Sequence, residues 1–163
     1  MDIPFTQFLY LNYQGDFHEL IPALHDRDSV PFDRGTAYLK PMGEHDLLYT
    51  THSSINNYDQ MVRVSKSYHF PSSQHTNSIT LASRPGEMHS RDGFYVLSSG
   101  IKITRTSLIN QDTRNYNHLS FESVPGWVRA MAANWLASNP EEWVAYFSKY
   151  HSGTFNSQWM VVN

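Results

Sequence analysis

A layered α/β sandwich is the fold class that this 163-residue sequence predicts. Three observations carry the prediction. Helical periodicity occupies the first 26 residues and returns near residue 124, and between them turn residues cut the chain into short β-prone runs. Sheet-forming segments flanked by helices at both ends fit a layered body. Hydrophobic residues make up 40% of the chain and charged residues 17%, a balance suited to burying a core. The length suits one domain over residues 1–163, with a helical lead-in (1–34) and a sheet core carrying two helices (35–163).

Residues 4–26 read as two helical pieces. Phe5, Phe8, Leu9 and Asn12 form one short face, Gly15 breaks the run, and Asp16 caps a second piece with Phe17, Leu20, Ile21 and Leu24. Pro22 shortens or kinks that piece, because proline lacks an N–H and crowds the preceding turn. Residues 26–34 form a polar connection. Thr36–Leu39 and Leu47–Thr51 then flank a turn-like Pro-Met-Gly-Glu-His and read as a hairpin. Met61, Val62, Val64, Tyr68 and Phe70 mark a third strand, and Ser72–Asn77 a polar loop. Ile79–Ala82, Phe94–Leu97 and Ile101–Thr106 are further strands, the last two joined by a tight Ser98-Ser-Gly100 turn.

Two helices follow. Val124, Trp127, Val128, Met131, Trp135 and Leu136 recur at the helical period, a stripe that reads as core. Asn139-Pro-Glu-Glu142 starts the next helix: asparagine caps, proline takes the first turn, and the glutamates complement the dipole. Lys149 falls in its last turn and Gly153 stops it. Trp159–Val162 closes the chain as a strand.

Composition excludes several function classes. A net charge of −3 without a basic run argues against nucleic acid as a partner. With no cysteine there are no disulfides, thiolate metal sites or thiol nucleophiles. The nine histidines show no ligand spacing: His18-Glu19 lacks a second histidine four residues on, and neither His45 with His52 nor His69 with His75 fits one element. No metal and no cofactor is therefore expected. Neither a Gly-x-Ser-x-Gly elbow nor a phosphate-cradling glycine loop occurs. No apolar run approaches the ~20 residues that span a bilayer, and the opening Met-Asp-Ile-Pro-Phe-Thr-Gln does not read as a signal peptide.

The closing Tyr150-His-Ser-Gly-Thr-Phe-Asn-Ser-Gln-Trp-Met-Val-Val162 resembles YNSGTYNNQWMVVD, a signature of the phospholipase B-like (lamina-ancestor-like) family of N-terminal-nucleophile hydrolases. Other blocks follow in order. Pro4-Phe5, Gly15-Asp-Phe-His-Glu-Leu20 and Ala23-Leu24 are similar to PF…GDLEDL…AL, and Gly35-Thr-Ala-Tyr-Leu-Lys40 to CSALIK. Asp46-Leu-Leu48 and His52-Ser-Ser-Ile-Asn-Asn-Tyr-Asp-Gln-Met-Val-Arg63 resemble DLLVAHNTWNTYQSMLR. Ser83-Arg-Pro-Gly86, Asp92-Gly-Phe-Tyr95 and Ser99-Gly100 are similar to SYPG…DDFY…SG, Arg105-Thr-Ser107 to ETT, and Trp127-Val-Arg129 with Ala133-Asn-Trp-Leu-Ala137 to WxRxxxANxLA.

The resemblance implies an αββα sandwich and hydrolysis of acyl esters, with phospholipids the usual substrate. It also implies a lysosomal or secreted setting, a preceding signal peptide, and a chain continuing past the closing strand. A segment lacking from the sandwich would leave sheet edges for a partner chain to cover. In this family a cysteine becomes the first residue after chain cleavage, and its α-amine, with a pKa near 8, serves as base. Gly35 stands at that cysteine. Thr36 is the adjacent hydroxyl able to replace it after cleavage of Gly35–Thr36; a one-residue shift also turns its side chain to the other sheet face. His52 falls on the family histidine, Ser107 on the second threonine of ETT, and Asn156 on an amide able to face an oxyanion. Asp92 keeps the first acid of DDFY, whereas Gly93, Ile55 and His151 replace the second acid, a tryptophan and an asparagine. Turnover by Thr36, lipid binding or protein interaction without turnover, and a non-functional remnant all stay open.

Overall fold

The computed structural model describes residues 2–25, 34–43, 47–55, 58–70, 76–108, 110, 112–120 and 122–163. Of the predicted polar connection over 26–34, residues 26–33 lie outside the described residues and Arg34 opens β1; of the predicted turn, Pro41 and Met42 extend β1, while His45 and His75 lie outside the described residues. The elements run α1 (Phe5–Asn12), α2 (Gln14–His25), β1 (Arg34–Met42), β2 (Leu47–Ile55), β3 (Val64–His69), β4 (Ser78–Ser83), β5 (Phe94–Leu97), β6 (Lys102–Ser107), α3 (Gly126–Leu136), α4 (Pro140–Phe147) and β7 (Ser157–Val162). The 3-10 turns Tyr58–Gln60 and Thr113–His118 are not among the elements predicted from the sequence, although Asp112 caps the second by accepting from Arg114 N.

Strands β3-β4-β5-β6-β7 form one antiparallel sheet in that order, and β1 and β2 form a separate antiparallel pair. In the larger sheet Ile79 pairs with Leu97, Leu81 with Tyr95, and Tyr95 with Ile103. The two-residue period therefore turns one apolar face toward the helices. Ala133 of α3, Ala137 that caps its end and Trp143 of α4 pack on that face, all three buried. Alanines let the α3 backbone come close, and each large side chain buried there contributes about 1.5–3 kcal/mol. The Trp143 indole donates to Asn134 Oδ1 at 2.7 Å, which satisfies a buried N–H.

The apolar stripe on α3 has a different place from the one its period implies. The residues of α3 that are fully covered are Gly126, Arg129, Ala130, Ala133 and Asn134. Trp127, Val128, Met131, Trp135 and Leu136 instead line an open groove of about 450 Å³ with Phe70 and Met88. Met131 and Trp135 still touch the core at its margin, while Leu136 is 47% exposed.

The start of α4 follows its sequence signal. Asn139 Oδ1 accepts from Glu142 N at 2.8 Å, and Glu142 Oε2 returns to Ser138 N at 2.9 Å. Its end differs: α4 stops at Phe147, so Lys149 lies beyond the last turn and Gly153 belongs to the next segment. The helical lead-in also breaks elsewhere. Tyr13 separates α1 from α2, and Gly15 and Asp16 lie inside the first turn of α2 rather than before it. A Cβ on Gly15 would stand 2.6 Å from the Phe155 ring, so close approach explains this glycine. Asp16 points into the body, where its Oδ1 accepts from Thr154 Oγ1 at 2.6 Å. Helix α2 continues past Pro22 to His25.

Candidate active site

The pair β1–β2 lies against β6. Thr106 Oγ1 donates to Gly35 O at 2.8 Å, and the His52 ring meets Arg105 O at 2.9 Å through Nε2. A carbonyl accepts only, so Nε2 carries the proton in this contact and the lone pair of a neutral ring sits on Nδ1. Gly35 pairs with Ser54 and Ala37 with His52, which places Gly35, His52 and Ser54 in one cross-strand neighbourhood.

These residues enclose a small cleft. Gly35, His52 and Ser54 form one wall, Arg105, Thr106 and Ser107 of β6 another, and Asp92 closes the end. Its volume is about 10 Å³, room for about one water. A Cβ built on Gly35 would lie 3.5 Å from His52 Nε2 and 2.7 Å from Ser53 O. Residue 35 therefore faces the imidazole, and the backbone around it closes to a glycine's dimensions.

Asp92 is held by cations. It accepts from Arg63 Nη2 and Arg84 Nη2, each at 3.0 Å, and also meets Arg63 Nε. Glu87 lies 3.3 Å from Arg91 and 3.9 Å from Arg84. Burial raises the Glu87 pKa, with Arg91 and Arg84 pulling the other way. Burial likewise lowers that of Arg84, and neighbouring Arg91 adds to the effect.

Arg105 links cleft and core. Its Nη1 donates to Ser157 Oγ at 2.8 Å and Ser107 Oγ at 3.1 Å, Nη2 meets Arg91 O, and the guanidinium lies 4.2 Å from the Phe155 ring centre. Gly93 has φ +73°, and a Cβ there would stand 1.9 Å from Arg105 Cγ. An arginine stem thus fills the space that an acidic side chain at this position would need. His89, fully buried between Asn12 O at 3.2 Å and the Trp127 ring, has its pKa lowered to about 3 by burial first and by Arg105 and Arg91 next.

The four sequence-derived candidates are distributed unequally. His52 and Ser107 line the cleft. Thr36 is exposed and not among its lining residues, as alternation along β1 dictates. Asn156 stands beside it: its carbonyl accepts from Leu108 N at 3.1 Å, and the next residue, Ser157, pairs with Ser107. Its side-chain amide donates to Glu19 Oε2 at 3.1 Å and Gly153 O at 2.8 Å. Ile55 is 55% exposed at the end of β2, and His151 Nδ1 accepts from Gly153 N at 2.8 Å. Ser54, Thr106 and Glu19 stand inside the blocks of family resemblance, but no role is read for them from the sequence. The spacing of Ser54 from His52, two residues along one strand, was the available signal for that serine. Among the described residues no group of three His, Cys, Asp or Glu side chains fits a metal ion.

The whole chain, residues 1–163, matches the sequence profile of the family described as Phospholipase B. The chain belongs to the phospholipase B family. It is 32% identical over 168 residues to phospholipase B-like 1 of Bos taurus, covering 96% of this chain and 31% of that protein. The phospholipase B-like 1 of Rattus norvegicus is 32% identical over 173 residues, covering 98% and 32%. Phospholipase B-like protein C of Dictyostelium discoideum is 30% identical over 173 residues, covering 96% and 31%. The chain thus spans under a third of the length of the curated relatives it matches. No helix among the described residues is long and apolar enough to cross a membrane.

Proposed function

We propose that this chain builds the acyl-ester site of a phospholipase B-like hydrolase, acting in phospholipid degradation, and that residue 35 of this chain binds without attacking. One observation carries the reading. The position at which the family resemblance sets the nucleophile faces His52 across a cleft that Asp92, Ser107 and Arg105 complete, and it is a glycine. Glycine supplies no electron pair to an acyl carbon, so turnover at this position is lost while the polar lining stays. Helices on one face of the five-stranded sheet and a second strand pair near the other support an αββα layering of the N-terminal-nucleophile type. Exposed Ile55, Tyr58, Met61 and Val62 support a partner chain along that side. The lysosomal or secreted setting rests on kinship alone.

The test pairs binding with turnover. Lysophosphatidylcholine binding is followed by tryptophan fluorescence and fatty-acid release by extraction. Saturable binding without released fatty acid is expected; absence of binding overturns the reading.

A second reading is favoured by one contact, the Thr106 hydroxyl on Gly35 O at 2.8 Å. That donor polarises the carbonyl of the Gly35–Thr36 peptide. Attack by Thr36 Oγ on the Gly35 carbonyl carbon would move the acyl group from nitrogen to oxygen. Water would then hydrolyse the ester, leaving a Gly35 carboxylate and a free Thr36 amine. Regular pairing of Gly35 with Ser54 and Thr36 with Ser53 holds the bond extended and disfavours the step. Intact mass spectrometry separates the readings: two fragments that sum to the chain plus one water would establish the threonine route.

A further inference from the structure

We propose that Glu19 is the positioning residue for Asn156, and that its protonation decides whether the Asn156 amide is tied to helix α2 or released toward the cleft. The proposal rests on the cleft being the ligand site and adds a control to it.

The geometry comes from three elements. Glu19 Oε1 accepts from Asn156 N at 2.7 Å and Oε2 from Asn156 Nδ2 at 3.1 Å, so one carboxylate holds the backbone nitrogen and one amide hydrogen of this asparagine, the other amide hydrogen going to Gly153 O at 2.8 Å. Tyr116 donates to the same Oε2 at 3.3 Å from its 3-10 turn. One turn earlier, Asp16 holds Thr154. The segment held in this way is bent: Tyr150 and Phe155 adopt φ values of 53° and 55°, which non-glycine residues enter at a cost. The two α2 carboxylates therefore clamp a segment that, on release, tends to relax.

An ionised carboxylate accepts from every side, whereas a protonated one gives up an acceptor and becomes a donor. It then cannot accept from Asn156 N, Asn156 Nδ2 and Tyr116 as before. The charged and titratable groups around it are Asp16 on α2, Tyr116 on the 3-10 turn, and Arg129 on α3, which acts on Asp16. Burial dominates and raises the Glu19 pKa to about 7, against the three hydrogen bonds and with a smaller push from Asp16. The switch therefore falls in a range that cells span.

The experiment is a titration of the isotope-labelled full chain by NMR, from about pH 5 to about pH 9. The Glu19 carboxyl carbon and the Asn156 backbone and side-chain N–H signals are expected to move together with a midpoint near 7. In Glu19→Gln the Asn156 signals should be flat, and Glu19→Asp should restore a titration. Flat Asn156 signals in the unmodified chain, or an unchanged titration in Glu19→Gln, overturn the proposal. If Glu19→Gln does not fold, co-titration of Glu19 and Asn156 in the unmodified chain decides alone. Lysophosphatidylcholine is then expected to bind about fivefold or more tightly at the acid end, and equal affinity at both ends overturns the coupling. Absence of binding at every pH removes the functional reading instead, leaving the Asn156 titration to be judged separately.

Discussion

Replacing Gly35 tests how far the cleft has adapted to a residue without a side chain. An alanine Cβ would lie 2.7 Å from Ser53 O, and ordinary contact begins at 3.4 Å, so the strands must part locally by about 0.7 Å. The obstructing atom is a main-chain carbonyl of the paired strand, which cannot swing aside as a side chain does. Gly35 O also holds the Thr106 hydroxyl, so movement on one side strains the other. Overpacking of this kind costs about 1–3 kcal/mol. In a chain of this size each kcal/mol lowers Tm by about 2–4 °C, giving a drop of roughly 2–12 °C for Gly35→Ala. Thermal and urea unfolding of both proteins measure it, with an unchanged urea slope expected. Gly35→Cys carries the same clash and introduces the chain's single thiol, so its alkylation rate against pH reads the influence of His52. A Gly35→Ala protein within about 0.5 kcal/mol of the original would refute the steric argument.

Asn139→Ala removes the α4 cap and should cost about 1 kcal/mol in urea unfolding. Asn134→Ala leaves the buried Trp143 N–H unpaired, and a loss of about 1–3 kcal/mol is expected, with a change in near-ultraviolet dichroism. Asp92→Ala abandons Arg84 and Arg63 at the cleft end and should lower stability by about 3 kcal/mol, read by Tm. Two buried groups tilt the pH profile in opposite directions. Glu19, raised from 4.5 to about 7, binds the extra proton in the folded state, so its contribution falls as pH rises through that window by at most about 3 kcal/mol. His89, depressed from 6.5 to about 3, is protonated sooner in the unfolded chain, so stability is lost as pH falls below 6.5. Urea midpoints of the original and Glu19→Gln, subtracted at each pH, isolate the first effect, and a pH-independent difference would contradict it.

The sequence was most legible where local chemistry and packing agree. The Asn-Pro-Glu-Glu start of α4, the alternating strands β4 to β6 and the β1–β2 pair all combine a local signal with burial on the matching side. It misled where a tertiary partner decides. Gly15 reads as a helix breaker, yet an aromatic ring from residue 155 accounts for it inside α2. The tryptophan stripe has a helical period, yet small alanines on the adjoining face take the sheet contact and leave the stripe beside a groove. At the cleft, motif order pointed to His52 and Ser107. Strand alternation explains why Thr36 turns away from them. Glu19 stands in the Gly15–Leu20 block, but its role was hidden because its partner lies 137 residues away, a separation that no periodicity records.

Arg105 joins concerns that elsewhere in proteins are kept apart. Its carbonyl meets the imidazole, its guanidinium ties two strands, and its stem occupies the hollow over Gly93. Placement of the imidazole and cohesion of the strands consequently share one anchor. A variant that loosens the closing segment under Phe155 will alter how the imidazole is presented, although it touches nothing that a ligand would meet. Should the proposed binding be scanned by mutation, the lesions that abolish it are expected to scatter through the interior.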